Sequence, residues 1–246
     1  MTVAVAFLLA SLRMWQGGQS DPVQEQRRRD AVVHYQNGQQ ALHAEAFEKA
    51  EREFRVAVGL DPLLTLAHYG LGQAYMGLKQ YADAVRAFQG CREAFLALGN
   101  LGGKNTAELD RRRTEEIQAL RESIAILRRN ATLESRNQNN IRQMEERVRD
   151  LERMGQSGGV GYDVPAEVPF SLGSAYYRAG SLSDAEREYQ AALKANPKLG
   201  EAHSNLAVIY LLTERPAEAK KEIQAAEKAG YRVNPQLKKD IDSKLK

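Results

Sequence analysis

The chain has 246 residues, 43% apolar and 27% charged, a balance too apolar for wholesale disorder and ordinary for a soluble protein. Its 35 Lys and Arg are interleaved with 32 Asp and Glu, so the formal charge of +3 offers no field of one sign to draw in nucleic acid. The single cysteine, Cys91, excludes an intrachain disulfide and any multi-cysteine metal site.

Ala, Leu, Glu, Arg and Gln outweigh Val and Ile, which is a helix-forming mixture and predicts an all-α fold. The first element is the apolar run VAVAFLLASL, Val3 to Leu12, ten residues where a membrane span needs about 20. It matches the core of a secretory signal, with Gly18 and Ser20 as the small residues before a cut at Asp21. Residues 1–20 are accordingly expected to be a signal peptide, which places the chain in the periplasm or outside the cell. No Lys or Arg precedes the run, however, and Arg13 follows it. The alternative is an N-terminal helix on a cytoplasmic protein.

Residues 31–64 and 65–98 repeat each other at an offset of 34. Both carry His-Tyr, then Gly three residues on, then Ala and Phe, as His34, Tyr35, Gly38, Ala50, Phe54 and His68, Tyr69, Gly72, Ala84, Phe88. A second pair follows at 166–199 and 200–233, again offset by 34.

Between the pairs, residues 99–165 do not resemble them. They open with GNLGGKN, close with GQSGGVGYDVP, and hold two apolar quartets with 3-4-3 spacing: Ile117, Leu120, Ile124, Leu127 and Ile141, Met144, Val148, Leu151. The quartets mirror each other about Glu134, which predicts an antiparallel, coiled-coil-like helical hairpin. Two inserted helices return the chain to the side it left. One continuous helix of about 50 residues, at 1.5 Å each, would instead carry it about 75 Å away. The arginine run 111–113, flanked by Glu108, Asp110, Glu115 and Glu116, reads as a solvated helix face. Residues 234–246 form a capping helix, with Asn234 as N-cap, Pro235 at the first helical position, and Leu237, Ile241 and Leu245 on one stripe.

The repeats resemble the tetratricopeptide repeat, a helix-turn-helix unit of 34 residues. The family's small residue at position 8 is Gly38, Gly72, Gly173 and Ala207; its alanine at position 20 is Ala50, Ala84, Ala185 and Ala219. The large residue at position 24 is Phe54, Phe88, Tyr189 and Ile223, and position 27 is Ala57, Cys91, Ala192 and Ala226. The closing proline is present as Pro62 and Pro197 and missing from the other two units. The resemblance implies a right-handed helical-hairpin solenoid, interrupted here by the hairpin of 99–165.

It also implies a concave groove lined by the first helix of each unit. The matching positions are Tyr35, Gln39 and Leu42, then Tyr69, Gln73 and Met76, then Phe170, Ser174 and Tyr177, then Ser204 and Val208. Together they describe an apolar, tyrosine-bearing groove for an extended peptide or a helix. Members that grip a chaperone's C-terminal carboxylate carry Lys, Asn and Arg where this chain has Tyr35, Gln39, Gly70, Glu167 and Ser171, so that clamp is absent. Three of the four histidines, His34, His68 and His203, share position 4 on different helices and read as structural, with no metal ligand set among them. Cys91 reads as a small core thiol. No nucleophile elbow, phosphate loop or HExxH motif is present.

The expected function is a non-catalytic scaffold for a protein or peptide partner, with no cofactor, metal, nucleic acid, small-molecule substrate or transmembrane span. The competing reading is an oligomerisation module in which the helices of 104–153 pair between chains as a homodimer.

Overall fold

Asp21 accepts the Val23 amide at 3.0 Å and Pro22 takes the first helical position, so the first helix starts where its unpaired amides are capped. The computed structural model describes residues 21–101, 106–129, 135–156 and 162–245. The expected signal peptide, the hairpin turn near Glu134 and much of both glycine-rich flanks lie outside them.

The described residues form eleven helices and no strand. In chain order they are α1 (Pro22–His43), α2 (Phe47–Leu60), α3 (Thr65–Gly77), α4 (Tyr81–Leu101), α5 (Thr106–Arg129), α6 (Ser135–Gln156), α7 (Glu167–Arg178), α8 (Leu182–Ala195), α9 (Gly200–Leu212), α10 (Pro216–Lys228) and α11 (Pro235–Lys244). The pairs α1/α2, α3/α4, α7/α8 and α9/α10 are the four repeats.

Close packing within each repeat follows from size complementarity at two positions. The alanines at position 20 are fully buried. At position 8 a Cβ on Gly38 would stand 2.7 Å from the Phe54 ring, one on Gly72 2.5 Å from Phe88, and one on Gly173 2.9 Å from Tyr189. Each aromatic ring therefore fills the notch left by a glycine. The fourth repeat substitutes a different matched pair, Ala207 with the slimmer Ile223, both buried. Phe54 also meets the next unit, since a Cβ on Gly70 would come within 2.5 Å of it.

The turns repeat as faithfully. Glu45, Lys79, Gly180 and Glu214 share the fifteenth position and have φ of 54°, 59°, 83° and 57°. Each left-handed residue closes the first helix, and the next residue's amide reaches back to the helix carbonyl five positions earlier, as in Gln80 to Tyr75 at 2.9 Å. Between repeats, Asp61 and Asn196 accept the amides of Leu63 and Lys198 at 3.1 and 3.0 Å, with a proline between. The position-4 histidines tie these turns down. The Nε2 atoms of His68 and His203 donate to the Pro62 and Pro197 carbonyls at 3.0 and 3.1 Å.

The array is continuous across the insert. Phe88 and Ala84 share a core with Leu172 and Ala175, Tyr69 Oη meets Ser171 Oγ at 2.8 Å, and Arg92 pairs with Glu188. Gln89 donates to Tyr176 Oη at 3.0 Å, and Gln190 donates to Tyr210 Oη at 3.1 Å one repeat later.

Helices α5 and α6 are antiparallel. Arg121 meets Glu152 at 2.6 Å and Arg128 meets Glu145 at 2.5 Å, so numbers rise along one helix as they fall along the other. Leu120, Ile124, Leu127, Val148 and Leu151 are buried, and Ile117, Ile141 and Met144 are partly so. The outer face of α5, however, is not simply solvated. Ala119 joins the core of the first two repeats, and Leu109 packs with Phe95 and Leu98 of α4.

The arginine run corrects the sequence reading in the same way. Arg112 is held by Asp61 at 2.9 Å and Glu108 at 2.8 Å, and Arg111 pairs with Glu25. Arg28 completes this seam by pairing with Glu108. Composition suggested a free charged face because both signs alternate there; the opposite charges sit across the interface as well as along the helix.

At the other end α11 lays Ile241 on Val233 and Ile223, with Asn234 capping through the Gln236 amide at 2.9 Å. The notch packing makes a direct prediction. Gly72→Ala should destabilise by about 1–3 kcal/mol through overpacking. Adding Phe88→Leu should recover part of that loss, a positive coupling visible in a double-mutant cycle of urea unfolding.

Candidate functional site

The first helices of repeats one to three bring their matched positions to one cavity of about 620 Å³. Helix α1 contributes Tyr35, Gln39 and Leu42; α3 contributes Tyr69, Gln73 and Met76; α7 contributes Phe170 and Ser174. These are eight of the groove residues expected from the repeat register. Tyr177 packs partly into the C-terminal core instead, Ser204 is buried, and Val208 is half-buried. None of these three lines the cavity.

The fourth wall is the insert. Glu116 and Leu120 of α5, and Met144 and Arg147 of α6, close the groove that the repeats leave open. Phe88, Cys91 and Phe95 of α4 complete it. Sequence reasoning missed the insert's share, although one signal was available. Ala119 and Ser123 flank Leu120 and Ile124 and double the width of the stripe, which marks a helix packed on two sides.

Closure buries what the register alone suggested would be open. Tyr35 is 1% exposed, its ring tilted on Phe54 at 6.1 Å and its hydroxyl accepting from Gln39 Nε2 at 2.9 Å. Burial, opposed by the Gln39 and Ser123 hydrogen bonds, pushes its hydroxyl above the usual phenol range. Burial likewise drives Tyr69 up to about 12, with the Ser171 hydrogen bond opposing and Glu167 adding to the rise. Cys91 donates to the Thr65 carbonyl at 3.4 Å, and burial pushes its thiol upward, away from a reactive thiolate.

The charged feature of the wall is a pair. Arg147 Nε donates to Glu116 Oε1 at 3.0 Å, with side chains 14% and 6% exposed. The guanidinium lies over Phe95 at 5.0 Å and Tyr162 at 5.9 Å. Its Nη2 is 3.0 Å from the same carboxylate but misaligned for a hydrogen bond. His43 also lines the cavity, and its buried Nε2 has no hydrogen-bond partner among the described residues.

Among the described residues no three His, Cys, Asp or Glu side chains gather as a metal group, and no helix is long and apolar enough to cross a membrane. His34 and His203 instead meet Glu53 and Glu222 of their own repeats at 2.8 and 2.6 Å.

A tetratricopeptide repeat family model matches residues 35–95 and 170–232, just over half of the chain. The chain belongs to the tetratricopeptide repeat family. Proteins of this family generally serve as non-catalytic protein-interaction scaffolds. No curated protein matches the sequence. Solved structures similar to this tetratricopeptide repeat protein include YrrB, a TPR protein with an unusual peptide-binding site. It is 18% identical, over 90% of this chain and 95% of that one, with a TM-score of 0.31. MamA is 18% identical over 78% of this chain and 94% of that one, with a TM-score of 0.28. A thermophilic TPR protein in Thermus thermophilus is 22% identical over 90% and 98%, with a TM-score of 0.29.

Two measurements check the electrostatics of this protein's site. Arg147→Met should cost about 3–5 kcal/mol by leaving the Glu116 carboxylate buried and alone. Arg147→Met with Glu116→Leu should cost less than that single change, read by urea unfolding.

The histidines set a pH dependence. Burial holds the His43 and His68 rings below the usual value of 6.5, outweighing the Pro62 carbonyl and the Asp61 and Glu93 charges around His68. The unfolded chain therefore binds more protons just below pH 6.5, so stability is fully present above that pH and falls as the pH drops through it. His43→Gln with His68→Gln should flatten unfolding free energy between about pH 7.5 and 5.5 relative to the unmodified chain.

Proposed function

We propose that this scaffold holds a short peptide segment of a partner protein in the cavity between the repeats and the insert. The observation that carries the reading is that one cavity is walled by the first helices of three successive repeats and by both insert helices. A pocket of this size, apolar with a few fixed polar groups, is what buries several side chains of a ligand. The Tyr69 and Ser171 hydroxyls and the Gln39 and Gln73 amides supply donors and acceptors for an extended backbone.

Pairing between chains through residues 104–153 would have to open a seam already filled within the chain by Leu120, Ile124, Leu127, Val148 and Leu151. The groove reading leaves that seam intact.

A photo-crosslinking residue placed at Met76 and, separately, at Met144 should capture the same partner peptide, mapped by mass spectrometry. The same residue at the exposed Val56 of α2 should not. Met76→Ala with Met144→Ala should lower recovery by a factor of about 5–30, as loss of about 1–2 kcal/mol implies. Equal capture from Val56, or unchanged recovery by the double variant, would refute the reading.

A further inference from the structure

We infer that the side of the hairpin turned away from the repeats docks an acidic segment of a partner protein, with Arg149 receiving its carboxylate. This surface is separate from the cavity, and the inference does not depend on what the cavity holds.

The face is a ladder with a missing rung. Arg121 of α5 meets Glu152 of α6 at 2.6 Å, and Arg128 meets Glu145 at 2.5 Å. Both pairs bridge the two helices, about two helical turns apart on each. Midway between them stand Ile124 and Ala125 on α5 and Val148 and Arg149 on α6. With Arg121, Arg128 and Glu145 these four line a shallow cleft to which the repeats contribute no residue. Ile124 and Val148 are buried and form its floor, while Ala125 and Arg149 are exposed at its rim. An arginine thus stands opposite a methyl group where the rungs on either side pair an arginine with a glutamate.

Charge selects the ligand. Arg121 and Glu152 cancel, as do Arg128 and Glu145. Beyond the cleft, Arg142 pairs with Glu146 and Arg153 with Asp150. Arg149 has no ion pair among the described residues, so its guanidinium is the uncommitted positive charge of this cleft. An exposed guanidinium gains little from an ion that stays in water. A carboxylate carried between apolar side chains gains more. Those side chains cover Ile124, Ala125 and Val148 and exclude water, leaving a two-pronged guanidinium–carboxylate contact in a lower dielectric.

The same features weigh against other occupants. Nucleic acid binding draws on several uncommitted cations, and its phosphates offer the floor nothing apolar. A two-fold contact with a second copy would set this face against itself. Arg149 would then approach the arginines of its twin, and the glutamates there, Glu145 and Glu152, are already paired.

The test uses the full chain and three fluorescein-labelled, end-capped peptides that differ only in a central glutamate, glutamine or lysine set between leucines. Fluorescence anisotropy at low salt should show the glutamate peptide binding at least about tenfold tighter than the other two, and the gap should shrink at high salt. Arg149→Gln should remove the gap. Ala125→Glu should remove it too, by filling the missing rung with a carboxylate for Arg149, whereas Ala125→Gln, of the same size, should keep it. Both positions are exposed, so the thermal melts should stay in place. Met76→Ala with Met144→Ala, which alters the cavity alone, should leave the gap intact. The inference is overturned if no peptide binds, if the glutamine peptide binds as tightly as the glutamate one, or if the gap survives Arg149→Gln. Loss of the gap in the cavity variant overturns it as well, by moving the acid to the cavity. A labelled DNA duplex that binds as tightly as the glutamate peptide, with the same dependence on Arg149, overturns it in favour of nucleic acid.

Discussion

Phe54 occupies a slot between two glycines, Gly38 on α1 and Gly70 on α3, and that contact sets the spacing on which the rest depends. A methyl group on either helix would sit 2.7 or 2.5 Å from the ring, closer than atoms pack. The ring thus brings α1 and α3 together at a separation that only glycine permits. Tyr35, Gln39, Tyr69 and Gln73 project from those same two helices into the cavity, so the floor of the site inherits its width from a contact on the far side. Phe88 against Gly72 and Tyr189 against Gly173 continue the pattern, and Tyr189 adds hydrogen bonds to Ser174 at 3.2 Å and Asn205 at 3.4 Å.

The insert is fixed by a different balance. Its exposed pairs, Arg121–Glu152 and Arg128–Glu145, contribute about 0–1 kcal/mol each. Each fully buried Leu, Ile or Val of the seam contributes about 1.5–3 kcal/mol, so the apolar stripe decides that the hairpin forms. The charges decide its register. Arg112 between Asp61 and Glu108, and Arg28 on Glu108, lose hydration on burial and return little net stability, but a slip by one residue would strand them. Helix length records the same dependence. Helix α1 has 22 residues where α3 has 13, and α4 has 21 where α2 has 14. The added turns carry Glu25, Arg28, Phe95 and Leu98, the residues that seat α5.

The repeats were legible in the sequence because one constraint recurs at a fixed period, and Gly38, Gly72 and Gly173 report it directly. The hairpin was legible because its eight seam positions mirror each other. The left-handed turn position was not, since Gly180 alone among Glu45, Lys79, Gly180 and Glu214 carries the residue that conformation favours. The register also gave the side chains that face the concave surface, from Tyr35 to Ser174. It could not give the cover over them, because Glu116, Ser123 and Arg112 have the composition of a solvated face; Glu116 and Ser123 are buried and Arg112 half-buried against partners the local sequence does not show, Asp61 51 positions away for Arg112 and Arg147 on another helix for Glu116.

Closure changes the physics of the site as well as its outline. An open groove offers a ligand a surface that water shares; a walled cavity makes every polar group on its lining count, because an unmatched one stays unmatched. The Glu116–Arg147 pair fits that setting: a lone charge there would be costly, and a pair bridging α5 and α6 adds a polar wall at no net charge. One wall of the site, built from α5 and α6, thus comes from outside the repeats. Changes in the insert can therefore reshape the cavity while the glycine–ring spacing that holds the array together stays untouched.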